Sequence, residues 1–490
     1  MELTDRPFLH INDREVLYEH FEAAAALIHE RMGSNGPFRV VVLSSKPELY
    51  YLAFYLCFVY DHTYCPINID DSLAVIENKV SIIDPALIIS NDNFFFSHYK
   101  KNAPQAESVS DENFGDYYLN LRANTHIGDN TASGTRYILF TSGTTGNPKG
   151  VPISRENLAC LIENMKELAA LKCTDVLANT FKFSFDLSIF VMLMAFEAHA
   201  SIVHVSGDEI LSGFKNSSYA AVTVVSLLPS VLRILRRNEA LLCFPVEKVR
   251  LFLFCGEPLL VSDVEFLHEN FSSATVYNLY GPTELTIYCS FYQAVKPLKS
   301  NEGILSIGVL NKGCTSYINE AERIDENRIS GELCIAGRQN FENYINVSNK
   351  DKIFEMGGRT YYRTGDKVIY EEKDKLFYYS DRLDREVKYY GHRINLNNIE
   401  ILFNTIGVVK NTAAVFSAKH MAIGLFVIGD TDFNHNDNIG LLQDIPSYLR
   451  PMHFFNVDEF PLNANFKKDY TAMESFFNFY LEKKYGYSRL

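Results

Sequence analysis

In the first half of the chain the hydrophobic pattern alternates between two periods. Residues 19–32, EHFEAAAALIHERM, repeat apolar positions at helical spacing, and residues 38–45, FRVVVLSS, carry the short unbroken apolar run of a buried strand. The run at 48–60, ELYYLAFYLCFVY, is apolar on every side and predicts a helix buried all round. Residues 85–90, PALIIS, predict another short strand, and the rhythm resumes at 200–205 (ASIVHV), 221–228 (AVTVVSLL) and 249–256 (VRLFLFCG). Strands separated by helical stretches indicate a mostly parallel sheet covered by helices. Between about Asn91 and Gly134 the chain is polar and acidic, and loop is expected there. After about Gly303 short strands dominate, among them GELCIAG, KVIYEE and KLFYYS, and predict a small β-rich lobe. A further unit opens near Asp384, with VKYYG, a helical NLNNIEILFNTI and the strand runs TAAVFS and AIGLFVIG. The expected fold class is α/β. A large N-terminal domain, residues 1–383, combines mixed, mostly parallel sheets, helices and the β-rich lobe. A small α+β C-terminal domain follows over residues 384–490.

A length of 490 residues is too great for one core, in keeping with two or more domains. The longest apolar runs, 49–60 and 219–232, fall short of the ~20 residues of a membrane-spanning helix, so no span is expected. A net charge of −14 argues against a general binder of nucleic acid or anionic membrane, though a local basic cleft is compatible with it. The nine cysteines are scattered without a CxxC, which suits reduced thiols in a cytoplasmic protein rather than a disulfide frame or zinc site. The start, MELTDRPFLHINDRE, is charged and has no apolar core of a signal peptide.

The chemistry is concentrated first in residues 141–150, TSGTTGNPKG, directly after the strand-like YILF. Glycines free backbone N–H groups, Thr141, Ser142, Thr144 and Thr145 supply hydroxyls, and Lys149 supplies a point charge, which together suit phosphate. The order is not that of the G-x-x-x-x-G-K-[ST] loop, because Asn147 and Pro148 separate Gly146 from Lys149. Taken alone, the composition also suits a surface turn. Four further stretches accompany it: NLYGPTE at 278–284, YRTGD at 362–366 with a carboxylate expected to be exposed, DRLDREVKYYGHRINLNNIE at 381–400, and PLNANFKKD at 461–469. Each has turn composition by itself, but their joint order and spacing are not explained as chance.

Over nearly its whole length the sequence resembles the adenylate-forming superfamily, which includes the adenylation domains of nonribosomal peptide synthesis, acyl-CoA synthetases and luciferases. INDREVLYEHFEAAAALI, TYCPINID, TSGTTGNPKG, FSFDLSIF, YGPTE, GELCIAG and YRTGD follow in family order. The resemblance implies ATP and Mg2+ as cofactors and attack of a carboxylate on the α-phosphorus. It assigns the β,γ-phosphates to Thr141, Ser142, Gly143, Thr144, Thr145, Gly146 and Lys149. Glu284 would hold magnesium, a hard cation suited to a carboxylate, and Thr283 would contact the α-phosphate. Tyr280 would lie on the adenine and Asn278 on its edge. Gly256 and Glu257 would line the nucleotide site, and Asp366, with Arg382 beside it, would take the ribose hydroxyls. The catalytic lysine falls at Lys467, with Lys468 as its neighbour and Phe466 where the family usually has glycine. Asp384 falls at the hinge about which the family's last domain rotates between adenylation and thiol transfer. Around it Asp381, Glu386, Tyr390 and Asn395 replace common family residues.

Asp186, in FDLS, stands where amino-acid-activating members place the partner of the substrate ammonium, and a buried carboxylate needs such a partner. The local alternative is a turn or helix cap. The carried-over pocket is Asp186, Leu187, Phe190, Ser226, Leu253, Cys255, Leu279, Ile287 and Tyr288, mostly apolar and without a second charge. The substrate implied is a small amino acid such as cysteine, alanine, glycine or serine. FCGE at 254–257 is also similar to D-alanine–carrier protein ligases, so chirality stays open. No G-G-x-S carrier motif follows, which points to a free-standing peptidyl or acyl carrier protein with a phosphopantetheine thiol as partner. Two other readings stand beside this one: an AMP-forming acyl-CoA synthetase for a small carboxylic acid, and a weakly catalytic ATP-binding scaffold.

Overall fold

A computed structural model of the chain describes residues 5–33, 36–92, 105–121, 134–142, 148–212, 217–237, 244–383, 385–390, 392–405, 411–429, 449–462 and 468–485. It divides into two compact units, residues 1–141 with 148–380, and 142–147 with 381–490.

The larger unit is built on two mixed sheets. The first has nine strands in the order Val309–Leu310, Ser290–Gln293, Thr275–Tyr280, Leu251–Phe254, Val224–Leu227, Val176–Asn179, Ser201–His204, Pro7–Ile11 and Arg14–Leu17. Its interior pairings are parallel and its edges antiparallel. The interior strands are almost continuously apolar because both faces are covered. A seven-stranded sheet runs Gln105–Asp111, Gly115–Leu121, Leu87–Ser90, Arg39–Leu43, Thr63–Pro66, Thr135–Ser142 and Pro148–Ser154. A five-stranded antiparallel sheet made of Cys314–Arg323, Arg328–Gly337, Arg359–Glu371, Ile353–Met356 and Leu376–Arg382 forms the β-rich lobe.

Helices fill the layers where periodicity placed them. Pro47, pre-set in φ and lacking an N–H that would go unused, opens the helix Pro47–Val59. Asp186–Ala198 has almost no polar face, and its residues from Leu187 to Ala195 are all buried. Arg155–Ala169 begins with a reciprocal cap between Ser154 and Asn157. No described helix is long and apolar enough to cross a membrane.

One expectation fails. Residues 91–134, expected to be loop, contain an antiparallel hairpin of Gln105–Asp111 and Gly115–Leu121 that extends the seven-stranded sheet. Asp111 accepts the N–H groups of Asn113 and Phe114 at 2.8 and 3.1 Å and closes the turn. Tyr117, Leu119 and Leu121 face the core. The polar composition belongs to residues at the sheet edge, where charge suppresses further pairing.

The second unit has its own core. The helix Leu396–Thr405 packs with Asn411–Ser417, Ala422–Ile428 and His453–Asn456, and the helix Tyr470–Tyr485 adds Met473, Phe477 and Leu481.

Candidate active site

The strand Thr135–Ser142 ends on Thr141 and Ser142, and the strand Pro148–Ser154 begins one residue before Lys149. The lysine-bearing segment therefore leads into a strand and not a helix. Gly143, Thr144, Thr145 and Gly146 lie outside the described residues. Lys149 is half-buried, with its ammonium 5.4 Å from the ring centroid of Tyr344. The Tyr344 hydroxyl donates to Oε1 of Glu284 at 2.8 Å. Glu284 is 1% exposed on the short helical turn Thr283–Leu285, so Lys149 and Glu284 share one aromatic neighbour.

The turn that carries Glu284 needs its glycine. A Cβ on Gly281 would stand 2.7 Å from Cα of Tyr288, which leaves no room for a side chain. The chain then passes through positive φ at Thr286 and Ile287, 59° and 71°, an unusual conformation for β-branched residues. That path delivers Ile287 and Tyr288 back against the core.

Thr283 donates its hydroxyl to Oδ2 of Asp186 at 2.8 Å. Asp186 is half-buried at the first position of the helix Asp186–Ala198. The N-cap of that helix is Phe185, which makes no side-chain cap bond, so Asp186 is not its N-cap. Beyond it the expected pocket residues gather. Leu187, Phe190, Leu253, Cys255, Leu279, Ile287 and Tyr288 belong to one buried cluster. Ser226 pairs in register with Leu253 and is 2% exposed. The Phe190 and Tyr288 rings meet edge to face at 5.4 Å. Burial pushes the Tyr288 phenol far above its ordinary ionisation range. The Ser226 hydroxyl and the Tyr288 hydroxyl are buried without a hydrogen-bond partner among the described residues.

On the other side of the turn, the Tyr280 hydroxyl donates to Oδ2 of Asp366. Burial, and then the Asp366 carboxylate, push the Tyr280 phenol well above its usual range, so it stays a donor. Asp366 was expected to be exposed; it is 3% exposed inside the strand Arg359–Glu371, where its N–H donates to the Thr364 hydroxyl at 3.0 Å. The turn-like residues Thr364 and Gly365 suggest a loop; they instead form an irregularity inside the strand, between the pairings of Arg363 with Cys334 and of Lys367 with Glu332. Asn278 is buried and donates to the Ser306 carbonyl at 2.9 Å.

This arrangement places a lysine, a buried acid, an aromatic–carboxylate pair and a half-buried aspartate around one glycine turn. The family described as AMP-binding enzyme matches residues 14–345. The chain belongs to that family.

Relatives of this AMP-binding enzyme include the D-alanine–D-alanyl carrier protein ligase of Bacillus licheniformis, 29% identical over 352 residues, or 68% of this chain and 70% of that one. The ligase of the same name from Listeria monocytogenes is 26% identical and covers 89% of this chain and 88% of its own length. Tyrocidine synthase 3 of Brevibacillus parabrevis is 30% identical over 69% of this chain, which corresponds to 5% of that much longer protein. Among solved structures, the Vibrio cholerae adenylation domain AlmE in complex with glycyl-adenosine-5'-phosphate superposes with a TM-score of 0.78. It has 22% identity and covers 97% of this chain and 95% of its own. The expected α/β adenylation fold and the AMP-forming ligase class both stand.

The remaining expected residues of the AMP-binding enzyme fall as follows. Gly256 has φ +92°, and a Cβ there would meet Leu228 at 3.0 Å, so the position admits only glycine without strain. Glu257 is buried and accepts the Ser230 N–H at 2.9 Å. In the second unit, Arg382 donates to Glu386 at 3.1 Å. Asp384 and Lys467 lie outside the described residues. Lys468 has its ammonium engaged by the Thr412 carbonyl at 2.7 Å, Asn411 at 3.0 Å and Glu400 at 3.5 Å. The same Glu400 is held by Arg385 at 2.9 Å, the Ala414 N–H at 2.9 Å and the Tyr470 hydroxyl at 3.1 Å.

Tyr344 is the site residue that sequence reasoning missed. It lies in FENYIN, whose residue types carry no phosphate or metal signature, and only its position between Lys149 and Glu284 marks it.

Proposed function

We propose that this AMP-binding enzyme activates a small amino acid with ATP and passes it to the phosphopantetheine thiol of a free-standing carrier protein. The observation that carries the reading is the Thr283–Asp186 hydrogen bond at the start of the helix Asp186–Ala198. It sets a carboxylate, the group that recognises an α-ammonium, beside the turn that holds Glu284, next to the buried, mostly apolar residues of the expected pocket.

In the first step a substrate carboxylate oxygen attacks the α-phosphorus. The bond from that phosphorus to the β-bridging oxygen breaks, and pyrophosphate leaves. Lys149 neutralises the β,γ-phosphates, Thr283 contacts the α-phosphate while its hydroxyl proton stays on Asp186, and Asp366 and Tyr280 bind the nucleoside. Lys467 offsets the charge that develops between carboxylate and phosphate. The binding of Lys468 to Glu400, Thr412 and Asn411 supports Lys467, and not its neighbour, in that role. Glu284 fits magnesium, which takes one or two carboxylates and fills its shell with phosphate oxygens and water. When bound, the ion withdraws charge from the leaving pyrophosphate. In the second step the carrier thiol, losing its proton, attacks the acyl carbon and AMP leaves, giving a thioester.

The expected pocket residues are mostly large and apolar, and Ser226, Cys255 and Tyr288 are their polar members, which suits a small neutral side chain. A cytoplasmic setting, where ATP is available, belongs to the same proposal. The test is pyrophosphate exchange over small L- and D-amino acids against simple carboxylic acids, followed by loading of a phosphopantetheine-bearing carrier. Exchange with one or two small amino acids and none with the simple acids is expected. Exchange only with acids lacking an α-amine would overturn the reading.

A further inference from the structure

Residues 341–346, FENYIN, touch Lys149, assigned above to the β,γ-phosphates, and Glu284, assigned to magnesium, and all the contacts lie within the larger unit. At one end the Phe341 N–H donates to the Glu284 carbonyl at 2.9 Å. In the middle Tyr344 donates to Oε1 of Glu284 at 2.8 Å and turns its ring to the Lys149 ammonium at 5.4 Å. At the other end the Ile345 N–H donates to the Gly150 carbonyl at 3.0 Å. The Asn346 side chain accepts the Gly150 N–H at 3.2 Å and donates to the Pro148 carbonyl at 2.9 Å. It thus grips the backbone on both sides of Lys149.

Each contact removes a freedom that would blur a phosphate site. The terminal torsion of a glutamate is broad and roughly two-fold, and a fixed donor on one oxygen sets the carboxylate plane. A lysine is a point charge on a flexible stem, and an aromatic face within about 6 Å confines it. A lysine and a buried acid drawn together would also neutralise each other at the expense of phosphate and metal. One tyrosine holds the acid by its rim and the ammonium by its face.

We propose that residues 341–346 form a brace that sets the spacing of Lys149 and Glu284 for the triphosphate and its divalent cation, with Tyr344 and Asn346 as positioning residues. This rests on the ATP-dependent reading above. Tyr344→Phe keeps the ring and removes only the donor; Asn346→Ala releases the backbone beside Lys149.

The experiment is calorimetric titration of ATP into the full chain, with Mg2+ and with EDTA, alongside the KM of the amino acid in pyrophosphate exchange. The wild-type protein is expected to bind ATP more tightly with Mg2+. Tyr344→Phe is expected to lose about tenfold of that gain, the scale of a hydrogen bond to a charged group. Its affinity in EDTA should stay within about twofold of wild type, as should its amino-acid KM, a split that a general loosening of the fold would not give. Asn346→Ala is expected to weaken ATP about threefold or more in both conditions. A full wild-type Mg2+ gain in Tyr344→Phe overturns the brace and leaves the proposed function standing. A wild-type chain that binds no ATP overturns both.

Discussion

The Thr283 hydroxyl donates to the Asp186 carboxylate at 2.8 Å, joining the glycine turn of YGPTE to the start of the helix Asp186–Ala198. In the proposed reaction Thr283 faces the α-phosphate and Asp186 the ammonium, so one hydrogen bond links the two substrates. Asp186→Asn keeps an acceptor for Thr283 and removes the charge. The expected result is a kcat/KM for the amino acid lower by roughly tenfold to a hundredfold, from the loss of a charge-assisted contact of about 1.5–3 kcal/mol. The KM of ATP should stay within about twofold. An unchanged amino-acid kcat/KM would remove Asp186 from the site.

The Tyr280–Asp366 pair is buried, and its carboxylate is the proposed partner of the ribose. Asp366→Asn leaves Tyr280 a carbonyl acceptor but cannot accept two ribose hydroxyls as an anion does. The KM of ATP is expected to rise about tenfold or more. The discrimination between ATP and 2'-deoxy-ATP should shrink in the same variant. Equal discrimination in variant and wild type would separate Asp366 from the sugar.

Lys467 and Lys468 are adjacent in sequence and are expected to behave differently. Lys467→Ala should lower adenylation by about a hundredfold to a thousandfold, the scale of one removed transition-state donor. Lys468→Met should hold kcat within about threefold and instead lower urea stability by about 1–3 kcal/mol, because it strips one cation from a largely buried Glu400. The reverse outcome would move the catalytic role to Lys468.

His204 is half-buried, stacked on Phe183 at 5.6 Å and bonded through Nδ1 to the Tyr51 hydroxyl at 3.1 Å. Burial brings its pKa down to about 4, against the smaller opposing pull of Glu209. The unfolded chain therefore binds this proton near pH 6.5 and the folded chain only near 4. Its contribution is complete above about pH 6.5 and is lost as pH falls towards 4. The full difference is on the order of 3 kcal/mol. Urea midpoints at pH 7.5 and 5 should differ less in His204→Gln than in wild type. An equal pH dependence in the two proteins would mean that His204 charges freely in the fold.

Much of the fold was legible because burial writes itself into periodicity. The almost continuously apolar runs at Leu251–Phe254 and Val224–Leu227 fit interior parallel strands, and the helix Pro47–Val59 fits a layer closed on both sides. The hairpin at 105–121 was not legible, since an edge strand keeps a polar composition and is held by pairing that periodicity does not record. Asp366 shows the same limit. Threonine, glycine and aspartate suggested an exposed turn, but neighbouring strands and the Tyr280 hydroxyl bury it.

By itself the sequence determined the motif order, the alternation of strands and helices and the apolar residue types of the expected pocket, because these depend on residue chemistry and local spacing. Only the tertiary structure decided that Thr283 meets Asp186 across 97 positions, and that Tyr344 reaches both Glu284 and Lys149. Those contacts join segments far apart in the chain. Their partners are chosen by how sheets and turns pack, and no local pattern carries that information.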